Sequence, residues 1–427
     1  MKTAYIIGGG LTGLTIANEL KETHQVIIYE KNNYIGGTCR TFYDGKQMYG
    51  FGPHVAYWKK ESEREWWSQF LEFSYKDYYV KLSIDGGLAP ESLYDFPCST
   101  DNIRRLFDFT NYDNMGKPDS LKEYFVKQVG YTSYMNFFEG YNRKQWGIDP
   151  DDMSADWCKH RPLTLRDKDK RMFQDLKAGF PIGGYNDMFL KLAEGCFVFE
   201  LSEVESIYLN DDNRVNGITV LMPGQTSKER RHITVLEGDL VINTAALDSV
   251  MPAFRSEPMD WRGVMKVFYR HDGTRPPTYS TTFPNNYNFT RMCDYEHHNV
   301  GNTDNPGKTI LSFAFPYDGN KEGGLEPFRI NCIEQAGRAR HELFPDHKRQ
   351  GLDIDRIAAI SEDKVYPVPT IMNNERFEKQ LDFVSGIQNF WTAGRLGLYA
   401  YISMSNATEK ARLLAHLIKS EIGRAHV

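Results

Sequence analysis

Residues 3–30 of the chain, TAYIIGGGLTGLTIANELKETHQVIIYE, decide its fold class. They read as a buried strand, a glycine-rich turn, a helix and a second strand rich in β-branched residues. Gly8, Gly10 and Gly13 have the spacing G-x-G-x-x-G. Glu30 ends the second strand. In such a unit the glycines allow a tight turn, close approach of the backbone to a pyrophosphate and helix–strand packing, and the acid accepts ribose hydroxyls. The stretch therefore predicts a dinucleotide-binding unit of the Rossmann type.

Two later segments distinguish between the possible dinucleotides. YIGGTCRT supplies Gly36, Gly37 and Arg40 and resembles the continuation found in FAD-binding flavoproteins of the amine-oxidase type. FWTAGRLG supplies Gly394 and Arg395 and resembles a closing motif of the same proteins. The helix predicted after this motif would direct its N-terminal dipole at the flavin ring, which stabilises an anionic reduced flavin. No second G-x-G-x-x-G occurs in the sequence, so FAD is favoured over NAD.

The composition excludes several classes of function. Of the 427 residues 41% are hydrophobic and 25% charged, with a net charge of −6, so neither a disordered chain nor a nucleic-acid surface is indicated. The six cysteines contain no CxxC pair, which fits reduced thiols and gives no metal site. No signal peptide and no membrane-length apolar run is present. We therefore expect a cytoplasmic protein without nucleic-acid, membrane or metal partners.

Beyond the first unit the sequence predicts a helical region, a β-rich region and a final helix. Ser120 and Glu123 have the spacing of a capping box and begin a helical pattern that continues to about Trp146. Between residues 200 and 320, short strand-like runs such as GITVLM and TILSFAF dominate. The last helix is predicted over about residues 405–422, with a buried face formed by Leu413, Leu414, Leu417 and Ile418.

These patterns predict an α/β protein with three domains. An FAD-binding Rossmann-type domain is discontinuous and takes residues 1–54, 181–248 and 386–427. A helical substrate-side domain takes residues 100–160. An antiparallel sheet domain with a mobile loop takes residues 55–99, 161–180 and 249–385.

Six segments resemble, in the same order along the chain, motifs of the UDP-galactopyranose mutase family. They are GFGPHVAY, FFEGYNRKQWG, FPIGGYNDMFLKL, NFTR, VYPVPT and AGRLGLYAYISM. FFEGYNRKQWG is the most specific of them. The resemblance implies an FAD-binding Rossmann-type domain with an inserted helical domain and a twisted antiparallel β-sheet domain.

The resemblance also implies an activity. Enzymes of that family interconvert the pyranose and furanose forms of a nucleotide-linked hexose such as UDP-galactose, and reduced FAD acts as the nucleophile through a covalent N5–sugar adduct. We therefore expect an isomerase that needs FAD in its reduced form, an external reductant and a nucleotide-sugar substrate. The resemblance further implies a cytoplasmic homodimer with a role in polysaccharide biosynthesis.

Individual residues receive roles from this resemblance. The catalytic positions are Arg166, Arg291, His54, Tyr366 and Tyr399. The substrate-binding positions are Phe137, Phe138, Tyr141, Asn142, Trp146 and Tyr185. The cofactor-binding positions are Gly8, Gly10, Gly13, Glu30, Gly36, Gly37, Arg40, Val204, Gly394, Arg395 and Met404. The chemistry of these residue types fits the roles, because arginines and tyrosines can bind a diphosphate and aromatic rings can stack on a nucleobase.

Several positions depart from the family pattern. Pro53 replaces an alanine, and Tyr57 replaces a second histidine. Ser403 stands where the family has an acid, and Asn142 replaces a threonine on the nucleobase side. The phosphate and flavin positions are kept while sugar-side positions differ. The sequence therefore predicts an altered sugar or base, such as a deoxy, amino or otherwise modified hexose.

Two other functions stay open. An FAD-dependent oxidoreductase of the amine-oxidase type would share the cofactor-binding unit, although an amine substrate does not need two cations and an aromatic face. A non-catalytic protein that binds flavin and sugar nucleotide is compatible with the loss of the acid at Ser403.

Overall fold

The computed structural model describes residues 2–96, 116–159, 169–173, 178–297, 308–320, 325–346 and 355–420. The strands within these residues are β1 (Thr3–Ile7), β2 (Gln25–Tyr29), β3 (Thr41–Asp44), β4 (Gln47–Gly50), β5 (Phe73–Lys76), β6 (Val80–Ser83), β7 (Leu93–Phe96), β8 (Ala178–Pro181), β9 (Phe197–Phe199), β10 (Glu203–Leu209), β11 (Val215–Pro223), β12 (Lys228–Thr234), β13 (Leu240–Asn243), β14 (Trp261–His271), β15 (Ser280–Thr282), β16 (Arg291–Asp294), β17 (Thr309–Asp318), β18 (Arg356–Pro367) and β19 (Phe390–Thr392).

The α-helices of the same residues are Leu11–Leu20, Glu61–Ser68, Leu121–Val129, Tyr131–Tyr134, Gly140–Trp146, Asn186–Ala193, Leu247–Val250, Glu326–Leu343, Ile371–Ser385, Gly394–Gly397 and Met404–Lys419. The segment Met135–Glu139 is π-helical. Short 3-10 turns are Gly37–Cys39, Pro90–Ser92, Ala155–Lys159, Pro252–Phe254 and Tyr295–His297. Within the described ranges, no helix combines the length and the apolar character that a membrane crossing requires.

Five parallel strands form the sheet that carries the glycine turn. Their order is β19-β13-β1-β2-β9, so β1 is paired on both sides. The helices Leu11–Leu20 and Met404–Lys419 pack together in the core beside this sheet. A central parallel strand is buried on both faces, which explains the continuous apolar run of residues 4–7. The predicted α/β class and Rossmann-type unit are confirmed.

Seven strands form a second sheet in the order β18-β14-β17-β16-β15-β6-β7. All neighbouring pairs are antiparallel except β15 with β6, which is parallel. Four residues of this sheet lie in register on neighbouring strands, and we call them the cross-sheet row: Lys266 (β14), Ala314 (β17), Arg291 (β16) and Thr282 (β15). Directly opposed residues of a sheet point to the same face, so the four side chains share one surface.

Three smaller sheets complete the strand pairing of the described residues. One has the order β10-β11-β12, and the other two are the pairs β3-β4 and β5-β8. All of these pairs are antiparallel. The boundaries of the three domains predicted from the sequence stay a prediction.

The helical region is interrupted at Gly130, one of the two glycines, with Gly140, that punctuate the helical pattern in the sequence. The capping box of Ser120 and Glu123 is present at its start, as predicted. Gly130 ends the first helix because its φ of 80° lies outside the helical range. The π-helical turn Met135–Glu139 follows before the chain resumes an α-helix. Such turns occur frequently at functional sites.

The last helix has the predicted position but a different buried face. It spans Met404–Lys419, and the Ser403 hydroxyl caps it by accepting the N–H of Asn406. Leu414 is 3% exposed, whereas Leu413 is 47% exposed. Adjacent residues of an α-helix are rotated by roughly 100°, so the two leucines cannot both face the core. The prediction that Leu413 is buried is wrong.

Candidate functional site

The glycine turn after β1 lies directly against the second glycine segment of the sequence. The N–H of Gly36 donates to the carbonyl of Gly9 at 2.8 Å. A Cβ atom at Gly13 would lie 2.1 Å from the carbonyl oxygen of Gly8, so Gly13 is required for packing within the protein. A Cβ atom at Gly10 would meet no atom within 4 Å. Gly10 therefore faces open space at a helix N-terminus, as the approach of a pyrophosphate requires.

Glu30 is held at the same turn. Its two carboxylate oxygens accept the N–H groups of Gly9 and Asn32, each at 2.8 Å. Burial raises the pKa of the Glu30 carboxyl, and the two hydrogen bonds oppose that shift. Each carboxylate oxygen has a further lone pair, so Glu30 keeps the capacity to accept the ribose hydroxyls that the sequence predicts.

Other predicted cofactor positions pack around this unit. The Arg40 guanidinium lies 4.7 Å from the centre of the Tyr34 ring. Val204 is buried on β10. Gly394 has a φ of 80°, and a Cβ atom there would lie 2.9 Å from the Thr12 hydroxyl. The closing motif therefore packs tightly on the first helix.

A cavity with a volume of about 230 Å³ is lined by the seven-stranded sheet, the helical region and the start of the last helix. The predicted residues that line it are His54, Phe137, Phe138, Tyr141, Arg291, Tyr366, Arg395 and Met404. Its charged lining residues, among those the structure describes, are the cations Lys266, Arg291 and Arg395, and no carboxylate lines it. Such a lining is suited to an anionic ligand. The described ranges contain no group of three His, Cys, Asp or Glu side chains placed to hold a metal ion.

Arg291 lines this cavity on the side that the seven-stranded sheet forms, as part of the cross-sheet row. Its Nε is buried, and no described residue accepts a hydrogen bond from it. A buried guanidinium N–H without an acceptor is unfavourable, and an anion in the cavity would satisfy it. Arg166, predicted as the second diphosphate ligand, lies outside the described residues.

The aromatic wall of the cavity consists of Phe137, Phe138 and Tyr141. Trp146 does not line the cavity; its ring lies edge-on to Tyr366 with the centroids 6.2 Å apart and supports that tyrosine. Asn142 is also absent from the lining, because its amide donates to the carbonyl of Phe138 at 2.9 Å. Trp146 and Asn142 therefore do not line the cavity, and their neighbour Gln145 lines it instead.

Tyr366 and Tyr401 both line the cavity and stack with their ring centroids 5.5 Å apart. The Arg395 guanidinium lies over both rings. Burial, together with Tyr401, raises the pKa of Tyr366 to about 12, so its hydroxyl stays protonated near neutral pH and can donate. Tyr399, predicted as a phosphate ligand, does not line the cavity, and its hydroxyl accepts the N–H of Val368 at 2.9 Å. Tyr401, two residues further on, lines the cavity.

His54 lines the cavity with a φ of 36°, which is uncommon for a residue other than glycine. Its carbonyl accepts the hydroxyl of Tyr185, which lines a smaller adjoining cavity and not the main one. A Cβ atom at Gly52 would lie 2.7 Å from the His54 ring, so this glycine makes room for the imidazole itself. Burial, followed by Lys266 and Arg395, lowers the pKa of His54 to about 3. The imidazole is therefore neutral at pH 7.

Three of the positions that depart from the family pattern line the cavity, namely Pro53, Tyr57 and Ser403. Ser403 caps the last helix, and a serine keeps this capping function where the family has an acid. Tyr57 stacks on Phe173 with the ring centroids 4.0 Å apart. The Tyr57 and Phe173 rings together form this side of the cavity.

The structure adds Lys266 and Tyr401 to the site, which the sequence reasoning did not single out. Lys266 interrupts the apolar strand run VMKVFYRH, and a charged residue in such a run was the available signal. Tyr401 lies in a tyrosine-rich turn, where sequence alone does not say which ring faces inward.

Two family models match the chain. The NAD(P)-binding Rossmann-like domain matches residues 6–73, and UDP-galactopyranose mutase matches residues 136–336, which hold the aromatic wall and Arg291. The chain is thus similar to the UDP-galactopyranose mutase family over residues 136–336.

Relatives of the chain include mutases of different substrates. The dTDP-fucopyranose mutase of Escherichia coli is 29% identical over 204 residues, covering 45% of this chain and 54% of that protein. The probable UDP-galactopyranose mutase of Klebsiella pneumoniae is 27% identical over 205 residues, covering 45% and 53%. The chain thus matches about half the length of both relatives. The UDP-galactopyranose mutase of Mycoplasma genitalium is 22% identical over 421 residues, covering 94% and 91%.

Solved structures share the fold over nearly the whole chain. The crystal structure of reduced UDP-galactopyranose mutase has a TM-score of 0.75 at 18% identity and covers 99% of this chain and 97% of its own. A putative protoporphyrinogen oxidase from Exiguobacterium sp. 255-15 has a TM-score of 0.63 at 13% identity and covers 98% and 99%. At these identities the likeness establishes the fold alone.

Proposed function

We propose that the protein is a flavin-dependent mutase that interconverts the pyranose and furanose forms of a nucleotide-linked hexose. One observation carries the proposal: a single cavity combines the unpartnered buried Nε of Arg291, an aromatic wall, and the positions Arg395 and Met404, which the family resemblance assigns to the flavin. A diphosphate needs the cation and a nucleobase needs the rings. Relatives named for UDP-galactopyranose and dTDP-fucopyranose support the reaction class and leave the sugar open.

The proposed cofactor is FAD in its reduced form, kept reduced by an external reductant. Three features fit it: the open space at Gly10, the lone pairs of Glu30, and the start of the last helix at the cavity. That helix has no acidic residue in its first turn, so its N-terminus favours an anion. When bound, the reduced flavin would supply the nucleophile for the anomeric carbon.

The residues of the chain would act on the leaving diphosphate. Arg291 binds it and stabilises the negative charge that develops as the sugar–phosphate bond breaks. The protonated hydroxyl of Tyr366 donates to the same oxygens. Burial, followed by Lys266 and Arg395, lowers the pKa of His54 and keeps its imidazole neutral before the anion binds. The aromatic wall holds the nucleobase and excludes water from the reacting carbon.

Incubation of the dithionite-reduced protein with UDP-, GDP- and dTDP-sugars, followed by chromatography, tests the proposal. We expect a furanose product without stoichiometric use of reductant. Stoichiometric consumption of oxygen or NADPH would instead identify an oxidoreductase of the amine-oxidase type. Binding without any turnover would identify a non-catalytic protein. The homodimer, the cytoplasmic location and the role in polysaccharide biosynthesis stay predictions.

A further inference from the structure

Lys266 is the third cation of the cavity lining, and the proposed reaction assigns no role to it. It is 4% exposed, and its ammonium donates to the hydroxyl of Tyr295 at 3.2 Å and lies 3.5 Å from the hydroxyl of Ser312. Both partners are neutral, and no carboxylate of the described ranges pairs with the lysine. Burial lowers the pKa of Lys266 to about 8. An ammonium buried without an anion is unfavourable, so its presence in a cavity points to a ligand.

The cross-sheet row orders the cavity from one end to the other. Beyond Thr282 the register continues to β6 and β7, where Tyr94 lies edge-on to Phe137 of the aromatic wall with the ring centroids 5.5 Å apart. Arg291 stands in the middle of the sheet. Lys266 stands two strands further on, about 10 Å from Arg291 between Cα atoms at the usual strand spacing, and Ala314 leaves the space between them open.

If a nucleotide sugar binds along the cross-sheet row with its base at the aromatic wall, its sugar lies at Lys266. The base lies on the aromatic wall, the diphosphate lies at Arg291, and the next group along the molecule is the hexose. The same end of the row carries His54, whose pKa responds to the charge of Lys266. Lys266 therefore faces the sugar and not the base.

The charges of the cavity leave Lys266 without a counter-ion. Arg291 is matched by the diphosphate, whereas Arg395 and the N-terminus of the last helix stand at the positions assigned to the flavin. Ser403 replaces the acid of the family pattern, so the described lining contributes no negative charge. An acidic group on the sugar of the substrate would supply an anion for Lys266.

We propose that the substrate is a nucleotide sugar whose hexose carries an acidic group, such as the carboxylate of a hexuronic acid, and that Lys266 binds this group and determines the specificity. The inference rests on the proposed function, which supplies the class of nucleotide sugars. A neutral hexose would leave the ammonium buried and unpaired, and sites of this kind discriminate steeply against such a mismatch.

Equilibrium binding to the flavin-loaded protein tests the inference without turnover. Calorimetry would compare UDP-glucuronic acid with UDP-glucose, UDP-galacturonic acid with UDP-galactose, and UDP alone. We expect one of the acids to bind at least about tenfold more tightly than its neutral counterpart, since a charge-assisted hydrogen bond is lost in the neutral sugar. Lys266→Gln should remove this difference and leave the binding of UDP unchanged, and Lys266→Arg should keep part of it.

Lys144 provides a matched control. It is a lysine whose pKa burial likewise lowers to about 8, but it donates to the carbonyl of Tyr287 at 2.8 Å and does not line the cavity. Lys144→Gln should leave the ratio of acid to neutral binding unchanged. Normal flavin content of each variant would verify that it is folded.

Three results would overturn the inference. They are equal dissociation constants for acid and neutral sugars, a uniform loss of binding of the acids, the neutral sugars and UDP in Lys266→Gln, and a change in that variant of the flavin reduction potential alone. Turnover of neutral sugars, together with equal binding of acid and neutral sugars, would contradict this inference and support the proposed mutase activity. Tighter binding of an acid without formation of any furanose product would support the proposed role of Lys266 and contradict the proposed mutase activity.

Discussion

The glycine turn and the cavity differ in how far apart in sequence their parts lie. The turn is built from residues 8–37, which meet through backbone contacts such as that between Gly36 and Gly9. One side of the cavity is formed by strands of the seven-stranded sheet, and the register of these strands brings Lys266 and Arg291 into one row. Glycine spacing is visible in a sequence because it acts on the adjacent backbone. The register of distant strands cannot be read from a sequence. The proximity of Lys266 and Arg291 is therefore established only when the protein folds.

The largest effect is expected within the glycine turn itself. Gly13→Val should prevent folding, because its side chain would overlap the carbonyl of Gly8, whereas Gly10→Val should fold and lose its flavin, because only a ligand fills the space there. Soluble yield, circular dichroism and flavin absorbance of the two purified variants would separate these outcomes. A yellow Gly10→Val protein would show that the pyrophosphate does not approach this glycine.

In the cavity, Arg291→Ala should lower turnover by a factor of hundreds while flavin content stays normal. A hydrogen bond to a charged group contributes roughly 1.5–3 kcal/mol, and more where the diphosphate gains charge as it departs. Arg291→Lys should recover part of the rate because it keeps the charge and loses the bidentate geometry. We predict a comparable loss for Arg166→Ala. Normal turnover of both alanine variants would refute the diphosphate assignment.

Tyr366 and Tyr399 should respond to the same substitution in different ways. Tyr366→Phe should lower kcat by about tenfold with little change in stability, because its hydroxyl faces the cavity. Tyr399→Phe should lower the free energy of unfolding by about 1–3 kcal/mol with little change in kcat, because the N–H of Val368 loses its acceptor. Steady-state kinetics and urea unfolding of both variants would measure this, and the reverse pattern would restore Tyr399 as the ligand.

The smallest effect is expected at Ser403. Ser403→Asp should leave the melting temperature unchanged, since both residues cap a helix, whereas Ser403→Ala should lower the free energy of unfolding by about 1 kcal/mol. Ser403→Asp should also shift substrate preference towards UDP-galactose by returning a carboxylate to the lining. Thermal unfolding and a sugar-nucleotide panel would follow the two effects. Efficient turnover of UDP-galactose by the unchanged protein, ahead of every other sugar, would refute an altered substrate.

The sequence by itself determined the features that depend on local spacing. The dinucleotide-binding unit follows from the glycine pattern, and the capping box of Ser120 and Glu123 follows from the needs of a helix start. Several residues that the motifs predict for the site line the cavity, including Phe137 and Arg291. Each of these signals lies within a few residues of the group it positions, so it acts before the tertiary structure forms.

Only the tertiary structure decided which of several plausible side chains face the cavity. Tyr401 lines it and Tyr399 does not, because the hydroxyl of Tyr399 is bound to backbone. Trp146 supports Tyr366 from behind. Lys266 acquires its position from strand register, which brings it into line with Arg291. Side-chain direction and register depend on packing between distant segments, and a single sequence does not record that packing.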